Sequence, residues 1–559
     1  MKKLWKVKNL AADQWPVLPG IPNLVLKLLG LRGLFREEAI SEFLNPDYAK
    51  LHDPFLFKDM AKAVERIRRA IEKKEKITIY ADYDADAITA AAVLWLSFKK
   101  LGVIADYYIP DRFVEGYGIN LDAVKAIANN GTKLIITVDC GINAVDEANV
   151  CRTLGVDLII TDHHELTGEL PKALAIINPK NPFDKYPFGY LTGVGVAFKL
   201  VQALFQVSSL KIQGTEKWLL DLVALGTVAD CQNLTGENRI LVSFGLKVLQ
   251  KTKHLGLKAL LHTAGLKSNK YDTFTLGFIL APRINAAGRI KHADTAFKLL
   301  ISEDAVEAEK LAEELNTLNK HRQLLTEQIT SEARSQLELQ TNKKVMLAHG
   351  ADWPKGIVGL VAGRLAEEYS RPVLVLSTTD GISTGSARAP LGFNMVEALK
   401  SVKDLLQKFG GHAQAAGFTL EAKNISDLHG KLLEFAAASD LVLEPILEID
   451  AEVAFDDLTW DNLEYLEKLA PFGFGNPKPK LMARDFGLLD YRLVGATNQH
   501  LKMRLQTGGQ ILEAIAFGQP FLANNLLTGG KIDAIFELTS NKWNGNMEMQ
   551  LKIIDLRSN

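Results

Sequence analysis

The chain has 559 residues, of which 47% are hydrophobic, so it is long enough for roughly three or four domains with separate cores. Its 65 lysine and arginine residues nearly cancel its 66 aspartate and glutamate residues. This balance excludes a whole-protein positive field as the means of attracting a polyanion. Any nucleic-acid site must therefore be a local basic groove.

Cysteine content and hydropathy limit the cellular compartment. The three cysteines, Cys140, Cys151 and Cys231, show no CxxC spacing, which argues against a disulfide framework and against a structural zinc site. The segment from Met1 to Trp15 has no apolar signal-peptide core, and no run approaches the ~18 apolar residues that a membrane span needs. We therefore expect a cytoplasmic protein without membrane contact.

The first 300 residues divide into a lead-in and an α/β domain. Residues 1–60 mix short apolar clusters with prolines, and we expect them to pack on the domain that follows. Over residues 61–300, β-like runs alternate with helical stretches, which is typical of a parallel sheet. The four runs are Ile77 to Tyr80, Leu134 to Val138, Leu158 to Ile160 and Ala175 to Ile177.

Residues 301–343 predict one long connecting helix. Between Ser302 and Lys344 the chain is polar, lacks proline and glycine, and carries leucines near helical spacing. An ordinary surface helix and a strut between two domains are both compatible with this pattern.

The last part of the chain predicts two further domains. Residues 344–446 contain strand-like runs at Val345 to Ala348 and Pro372 to Leu376, which indicate a second α/β unit. Residues 447–559 turn to short alternating segments separated by glycine and asparagine, which favour a small β-barrel. These segments include Gln510 to Ala516, Ile532 to Leu538 and Met547 to Ile554.

Acidic side chains cluster where the first predicted strand ends. Asp82, Asp84 and Asp86 follow the run Ile77 to Tyr80 and precede an apolar helical stretch from Ile88 to Phe98. Open α/β sheets bind ligands at the carboxyl edge of their strands, and clustered negative charges are costly unless cations neutralise them. A solvated loop is the alternative interpretation of this cluster taken alone.

The same arrangement recurs along the chain. Asp139 follows the run Leu134 to Val138, His163 and His164 follow Leu158 to Ile160, and Asp230 follows a helix-like stretch from Trp218 to Leu225. A parallel sheet would bring these groups together at one edge. Mixed aspartate and histidine ligands suit Mn²⁺ or Mg²⁺ better than metals that prefer thiolates.

In their order, these motifs resemble those of the DHH phosphoesterase superfamily. The matching segments are DYDAD at 82–86, VDCG at 138–141, DHH at 162–164 and GTVAD at 226–230. RINAAGR at 283–289 resembles a motif of the RecJ branch, whereas GIVG at 356–359, GSAR at 385–388 and GGHAQAAG at 410–417 resemble the DHH-associated domain. The segment LAPFGFGNP at 469–477, with the barrel after it, resembles the OB-fold region of that branch.

The resemblance implies a metal-dependent exonuclease that degrades single-stranded DNA from the 5′ end in repair and recombination. It implies two Mn²⁺ or Mg²⁺ ions bridged by Asp139. One ion would also be held by Asp86, His163 and Asp230, and the other by Asp82 and Asp84. His164 would contact the substrate phosphate.

The resemblance also supplies candidate substrate-binding residues and partners. Donors suited to phosphate oxygens are Arg112, Arg283, Asn285, Arg289, Ser386, Arg388 and His412. Gly410 and Gly411 would let the backbone approach the ligand. We expect a monomer that binds single-stranded DNA, with single-strand-binding protein as a family-based partner. The barrel's Trp543, Tyr491 and Phe517 could stack on bases, although core positions explain them as well.

One position departs from the family pattern, and two other functions remain open. Where the family usually has glycine after the last aspartate of the first motif, this chain has Ala87. We expect Ala87 to start the helix with ordinary dihedrals. The alternatives are an enzyme of the same chemistry acting on short oligonucleotides, cyclic dinucleotides, pyrophosphate or RNA, and a non-catalytic single-strand-binding scaffold that has kept the fold.

Overall fold

The computed structural model describes residues 3–10, 15–112, 114–266, 270–438, 444–543 and 546–558, without the side chains of residues 542, 543 and 546. The stacking role considered for Trp543 therefore lies outside the described residues. Short 3₁₀ turns occur at Tyr48–Lys50, Pro54–Leu56, Thr215–Leu219, Glu338–Gln340, Lys403–Leu405, Ala422–Asn424, Phe455–Asp457 and Pro520–Asn525.

The N-terminal lead-in packs mainly on the last domain of the chain. It contains β1 (Leu4–Val7), α1 (Asn23–Gly30) and α2 (Glu37–Leu44). Its strand pairs in parallel with residues 446–449, and Val25, Leu28 and Phe43 join the core of the C-terminal barrel. The expectation that the lead-in packs on the next domain is confirmed only for its last part, where Phe57 joins the core of the first domain, and is wrong for the helices before it. Its apolar helical faces require a hydrophobic partner, but their sequence does not specify which domain provides it.

The first domain is built on a parallel sheet, as predicted. Its first part consists of α3 (Met60–Glu72), β2 (Ile77–Ala81), α4 (Ala85–Lys100), β3 (Asp106–Tyr108), α5 (Leu121–Asn129), β4 (Leu134–Val138), α6 (Val145–Thr153), β5 (Asp157–Thr161) and β6 (Ala175–Ile177). The strand order is β3-β2-β4-β5-β6, with all pairs parallel. The four predicted runs all form strands. The edge strand β3 was not predicted, because it has only three half-buried residues.

Helices complete the first domain. They are α7 (Gly193–Gln206), α8 (Leu220–Ala229), α9 (Gly236–Leu249), α10 (Leu255–Thr263), α11 (Ala281–Ile290) and α12 (Asp294–Ile301). Residues 220–227 of α8 are all buried, so this helix lies in the core. A π-helical segment, Thr275–Leu280, leads directly into α11.

The long helix α13 (Ala305–Leu337) joins two domains. Its 33 residues correspond to about 50 Å of helix. Ala308, Ala312 and Leu315 pack in the core of the first domain, whereas Ile329 and Ala333 pack in the core of the second. The helix is therefore a strut between domains rather than an ordinary surface helix.

The second domain is a mixed α/β unit. It contains β7 (Met346–Ala351), α14 (Lys355–Tyr369), β8 (Val373–Thr379), β9 (Ile382–Arg388), α15 (Met395–Ser401), β10 (Lys408–His412), β11 (Ala415–Glu421) and α16 (Ile425–Ala437). The strand order is β10-β11-β9-β8-β7, in which only β7 and β8 are parallel.

The C-terminal domain is a closed barrel, as predicted. Its elements are β12 (Ile446–Ile449), β13 (Ala451–Glu452), α17 (Trp460–Lys468), β14 (Leu481–Val494), β15 (His500–Thr507), β16 (Gln510–Ala516), β17 (Lys531–Trp543) and β18 (Asn546–Ser558). The order β14-β15-β16-β18-β17 closes because β17 also pairs with β14. Among the described residues, no helix combines the length and the apolar character that crossing a membrane requires.

A buried arginine ties the first domain to the barrel and the lead-in. Arg239 on α9 is 2% exposed and donates to the backbone oxygens of Phe43, Lys468, Leu469 and Ala470 at 2.7–3.2 Å. Its guanidinium also lies 3.7 Å from the centre of the Phe43 ring. Burial, with the charge of Arg32, lowers the pKa of Arg239 to about 9, so the side chain remains a cation at neutral pH.

We predict that Arg239→Leu destabilises the protein by about 3 kcal/mol or more, because buried carbonyl oxygens lose their donors. Chemical denaturation followed by tryptophan fluorescence measures this change. The control is Arg504→Leu, which removes an exposed pair with Asp490 and should cost less than about 1 kcal/mol. Equal losses in the two variants would contradict the role given to Arg239.

Candidate active site

The first acidic motif lies between β2 and α4. Asp82 directly follows the strand, is 1% exposed, and has an Oδ1 atom without a hydrogen-bond partner among the described residues. Asp84 caps α4, since its Oδ1 accepts from the backbone N–H groups of Asp86 and Ala87 at 2.9 and 3.0 Å. The cap fixes where the helix begins and therefore where Asp86 points.

Asp86 is held by the N-terminus of a second helix. Its carboxylate accepts from the backbone N–H of Gly193 at 2.6 Å and of Val194 at 2.9 Å, in the first turn of α7. The positive end of the helix dipole suits a carboxylate there. A Cβ atom on Gly226 would come within 2.9 Å of Asp86 Oδ1, so that position must be glycine.

Asp139 follows β4 in a left-handed conformation. Its φ of +60° is uncommon for a residue with a side chain, and such strain is typical of functional sites. A Cβ atom on Gly193 would lie 2.5 Å from Asp139 Cβ and 2.6 Å from Oδ1. Gly193 therefore binds Asp86 through its N–H and leaves room for Asp139 through its missing side chain.

His163 lies at the centre of the acidic cluster. Its Nε2 atom is 3.0 Å from Asp139 Oδ1, 3.7 Å from Asp230 Oδ2 and 3.9 Å from Asp86 Oδ2. Burial, with the neighbouring charge of His164, lowers the pKa of His163 to about 3. The imidazole is therefore neutral at pH 7, which is the form that binds metals.

His164 lies at the solvent side of the cluster and is oriented by Asp162. Asp162 Oδ1 contacts His164 Nδ1 at 2.7 Å, and Asp162 Oδ2 accepts from the backbone N–H of Ile142 at 2.9 Å. His164 Nε2 lies 3.0 Å from the Tyr117 hydroxyl. Burial alone would lower the pKa of His164, but the hydrogen bond and charge of Asp162 raise it above its ordinary value.

The donor set fits divalent cations. Two groups bring their ligand atoms within 4.8 Å of one another: Asp86, His163 and Asp230, and Asp139, His163 and His164. Burial and then Asp84 raise the pKa of Asp82 to about 8 and that of Asp230 to about 7, and burial, followed by Asp86 and Asp84, raises the pKa of Asp139. Asp139 Oδ1, Asp230 Oδ2 and His163 Nε2 are buried without hydrogen-bond partners among the described residues. Buried carboxylates in this state are stabilised by a cation.

The structure confirms two local predictions and corrects a third. Asp230 ends the buried helix α8, as the helix-like stretch before it predicted, but Asp86 lies inside the first turn of α4 and not before the helix. Ala87 lies in α4, is buried, and is not among the residues with positive φ. The expectation of ordinary helical dihedrals at Ala87 is therefore confirmed, and the departure from the family pattern leaves the motif intact.

Three family models match the chain in the order of the domains. The DHH family N-terminal domain matches residues 76–227, the DHHA1 domain matches residues 342–438, and the RecJ OB domain matches residues 449–555. The chain is 42% identical to the single-stranded-DNA-specific exonuclease RecJ of Bacillus subtilis (strain 168), covering 98% of this chain and 69% of that protein. The chain belongs to the RecJ family.

Other RecJ proteins match over most of their length. The single-stranded-DNA-specific exonuclease RecJ of Escherichia coli (strain K12) is 33% identical, with 99% of both chains covered. A crystal structure of RecJ from Thermus thermophilus in complex with Mn²⁺ superimposes with a TM-score of 0.84 at 29% identity, covering 99% of this chain and 79% of that chain. The match confirms the α/β domains and the barrel as a RecJ architecture.

The RecJ-like segment 283–289 lies on α11, where one of its side chains contacts the first acidic motif and another contacts the second domain. Asn285 Oδ1 accepts from the backbone N–H of Ala85 at 2.9 Å, directly beside the first acidic motif. Arg289 Nη1 donates to the Gly356 carbonyl of the second domain at 3.0 Å. Asn285 thus positions the motif, and Arg289 joins the two domains.

Three predicted arginines lie near one another. Burial lowers the pKa of Arg289 to about 10, with further lowering from Arg112 and Arg388. Arg112 lies 5.0 Å from the centre of the Tyr83 ring, and Arg388 Nη1 donates to Ser386 Oγ at 2.8 Å. The structure therefore brings Arg112, Arg289, Ser386 and Arg388 to the site.

Two other predicted residues have different surroundings. Arg283 donates to Asn316 Oδ1 on α13 at 3.2 Å and to the Ile279 carbonyl at 2.5 Å, so it also braces α11 against the strut. His412 is exposed at the end of β10. Gly411 is required by the hairpin, because a Cβ atom there would overlap the backbone of Ala415 and Ala416. The hairpin geometry therefore accounts for Gly411, and no bound ligand is needed to explain why glycine occurs there.

Sequence reasoning missed several residues that shape the site. Gly193 and Val194 supply backbone N–H groups, which leave no chemical signature in a sequence. The available signal was a threonine that caps a helix, placed directly before Gly-Val-Gly at the start of an apolar helical stretch. Asp162 was noted only as part of a motif, and Arg322 on α13, which lowers the pKa of Arg289, was not noted at all.

We predict that Gly193→Ala weakens Mn²⁺ binding by about 10- to 100-fold, because the new methyl group displaces the Asp139 side chain. Isothermal titration calorimetry measures the affinity. The matched control is Ala87→Gly, which removes a methyl group from the same core and should change affinity by less than about tenfold. Unchanged binding in Gly193→Ala would show that Asp139 has room to move.

Proposed function

We propose that this protein is an exonuclease specific for single-stranded DNA, which hydrolyses phosphodiester bonds from the 5′ end and releases 5′-mononucleotides. The observation that carries the proposal is the pairing of an acidic metal cluster with a group of arginines at one cleft. The names of the RecJ relatives support the substrate.

The ligand assignment comes from the family resemblance, and the grouping of Asp86, His163 and Asp230 supports its first part. These three residues would hold one divalent ion, Asp82 and Asp84 would hold the other, and Asp139 would be shared. When bound, Mn²⁺ or Mg²⁺ activates a water molecule and stabilises negative charge on the phosphate oxygens. His164, whose raised pKa favours the protonated form, would donate to a non-bridging phosphate oxygen.

The direction of degradation rests on the arginines of the cleft. Arg112, Arg283, Ser386 and Arg388 would bind the terminal 5′-phosphate, since guanidinium groups match phosphate oxygens. Gly359 leaves room for this, as a Cβ atom there would lie 3.1 Å from Ser386 Oγ and 3.2 Å from Arg388 Nη2. A terminal phosphate fixed in this way would place the next phosphodiester over the acidic cluster. A cleft that grips one backbone would exclude duplex.

The cellular setting belongs to the same proposal. A role in DNA repair and recombination follows from the family, as does single-strand-binding protein as a partner. All three cysteines are free, and Cys140 and Cys151 are buried, which suits a reducing cytoplasm. We propose a cytoplasmic monomer.

Asp139→Ala should abolish hydrolysis of end-labelled single-stranded DNA in Mn²⁺ while leaving the fold intact, because one side chain serves both ions. Circular dichroism reports the fold, and calorimetry should show less bound metal. The control is Asp427→Ala, which removes an exposed carboxylate on α16 of the second domain. Activity above about a tenth of the unmodified protein's would remove Asp139 from the site.

The direction of degradation is tested with two preparations of the same strand, one labelled at the 5′ end and the other at the 3′ end, digested in parallel. The 5′ label should leave at once as mononucleotide, and the 3′-labelled strand should shorten gradually. The opposite pattern, or cleavage of a closed circular strand, would contradict the proposed direction.

The terminal-phosphate pocket has its own control within the same assay. Arg388→Ala should weaken binding by about 1.5–3 kcal/mol and reduce the preference for a 5′-phosphate over a 5′-hydroxyl end. Arg364→Ala, on the exposed side of α14, should leave that preference unchanged.

A further inference from the structure

Two phenylalanine rings stack on each other in solvent. Phe274 is 58% exposed and Phe278 is 72% exposed, and their ring centres lie 5.0 Å apart with an angle of 19° between planes. Each large apolar side chain left in water forfeits about 1.5–3 kcal/mol of burial energy. A pair with parallel faces therefore suggests a partner that is flat and aromatic.

The pair lies on the helix that leads into the active site. Residues 273–290 are helical throughout, comprising the π-helical segment and α11, which corresponds to about 27 Å. The accessible stripe runs through Phe274, Phe278, Pro282, Asn285 and Arg289, at spacings of four and three residues. The same helical face thus carries the phenylalanines at one end and the site residues at the other.

The π-helical segment follows from the sequence. Pro282 has no N–H to donate to the Phe278 carbonyl and crowds that carbonyl with its ring, so the regular ladder cannot continue there. Segments of this kind are frequent at functional sites.

The outer end of this helix adjoins the segment that enters the barrel. Thr273 Oγ1 donates to the Phe472 carbonyl at 2.5 Å, and the next residue but one, Phe474, is 67% exposed. The Phe474 carbonyl accepts from the backbone N–H of Leu234 at 2.8 Å, four residues after Asp230. The stripe therefore spans the distance between the barrel and the acidic cluster.

We infer that Phe274 and Phe278 form a platform on which unpaired bases of the substrate strand stack, about three to five nucleotides from the bond that is cleaved. Phe278 lies seven residues before Asn285 and Phe274 lies eleven residues before it, which correspond to about 10 and 16 Å along the helix. A stacked strand advances about 3.4 Å per nucleotide, so these distances correspond to about three to five nucleotides. The inference rests on the proposed function.

Single-stranded nucleic acid fits the platform better than other occupants. Phenylalanine faces bind any base, so the contact would be independent of sequence, as an exonuclease requires. Arg322 on α13 lies close to Arg283 on this helix, which places positive charge beside the strand's path. Paired bases could not present their faces to the rings.

The test compares Phe274→Leu/Phe278→Leu with the unmodified protein on a single-stranded 12-mer and on a dinucleotide, both with 5′-phosphates. The variant should lose about fivefold or more in kcat/KM on the 12-mer, through a higher KM. The dinucleotide is too short to reach the rings, so its hydrolysis should not change. Phe274→Tyr/Phe278→Tyr should behave like the unmodified protein, as should Phe35→Leu on the lead-in.

A 12-mer with abasic nucleotides at positions four to six from the 5′ end separates stacking from a general effect on structure. The abasic positions should lower kcat/KM of the unmodified protein by about the same factor as the leucine substitutions do. They should not lower kcat/KM of the leucine variant any further. An equal abasic penalty in both proteins, or an equal loss on the dinucleotide, would overturn the platform. If the unmodified protein hydrolyses neither substrate, the proposed function fails, and the platform fails with it.

Discussion

Mutual repulsion among buried carboxylates is the constraint around which the first domain is arranged. Asp82, Asp86 and Asp139 are each at most 3% exposed and lie at one edge of the sheet. The fold provides only part of the neutralisation, through helix N-termini. Backbone N–H groups of α7 bind Asp86, and Asp84 uses one oxygen to cap α4. Burial and neighbouring carboxylates still raise the pKa values of Asp82 and Asp139, so a bound cation would stabilise their charged forms.

This arrangement depends on contacts between distant parts of the sequence. Asp86 and Gly193 are 107 residues apart, yet one glycine N–H and one missing Cβ determine where two ligands lie. Similarly, α11 links the first acidic motif to the second domain, because Asn285 is fixed to the motif loop and Arg289 to the second domain. A site built on packed helices keeps its geometry more closely than one built on loops.

The sequence predicted the buried strands of the first sheet and three strands of the barrel, but it missed β3, β14 and β15. Ile77–Ala81 and Leu134–Val138 form continuous apolar runs, because helices cover both sides of a parallel sheet. Strand β3 is half-buried, and β14 and β15 alternate around bends, so neither signal was strong. The ligands were predictable because each lies in a recognisable motif. The N–H groups that hold them, and the domain on which the lead-in packs, depend on tertiary structure.

Opposite charges that almost cancel over the whole chain are concentrated at the site. Arg112 and Arg388 lower the pKa of Arg289, whereas Asp84 raises it, so the arginines lie together beside the first acidic motif. Cations relieve repulsion among the carboxylates, and a phosphate group relieves repulsion among the arginines. A phosphodiester bound beside both groups is attracted by both once cations are present, whereas without them the carboxylates repel it. Metal and strand must then strengthen each other's binding, and by thermodynamic linkage they do so to the same extent.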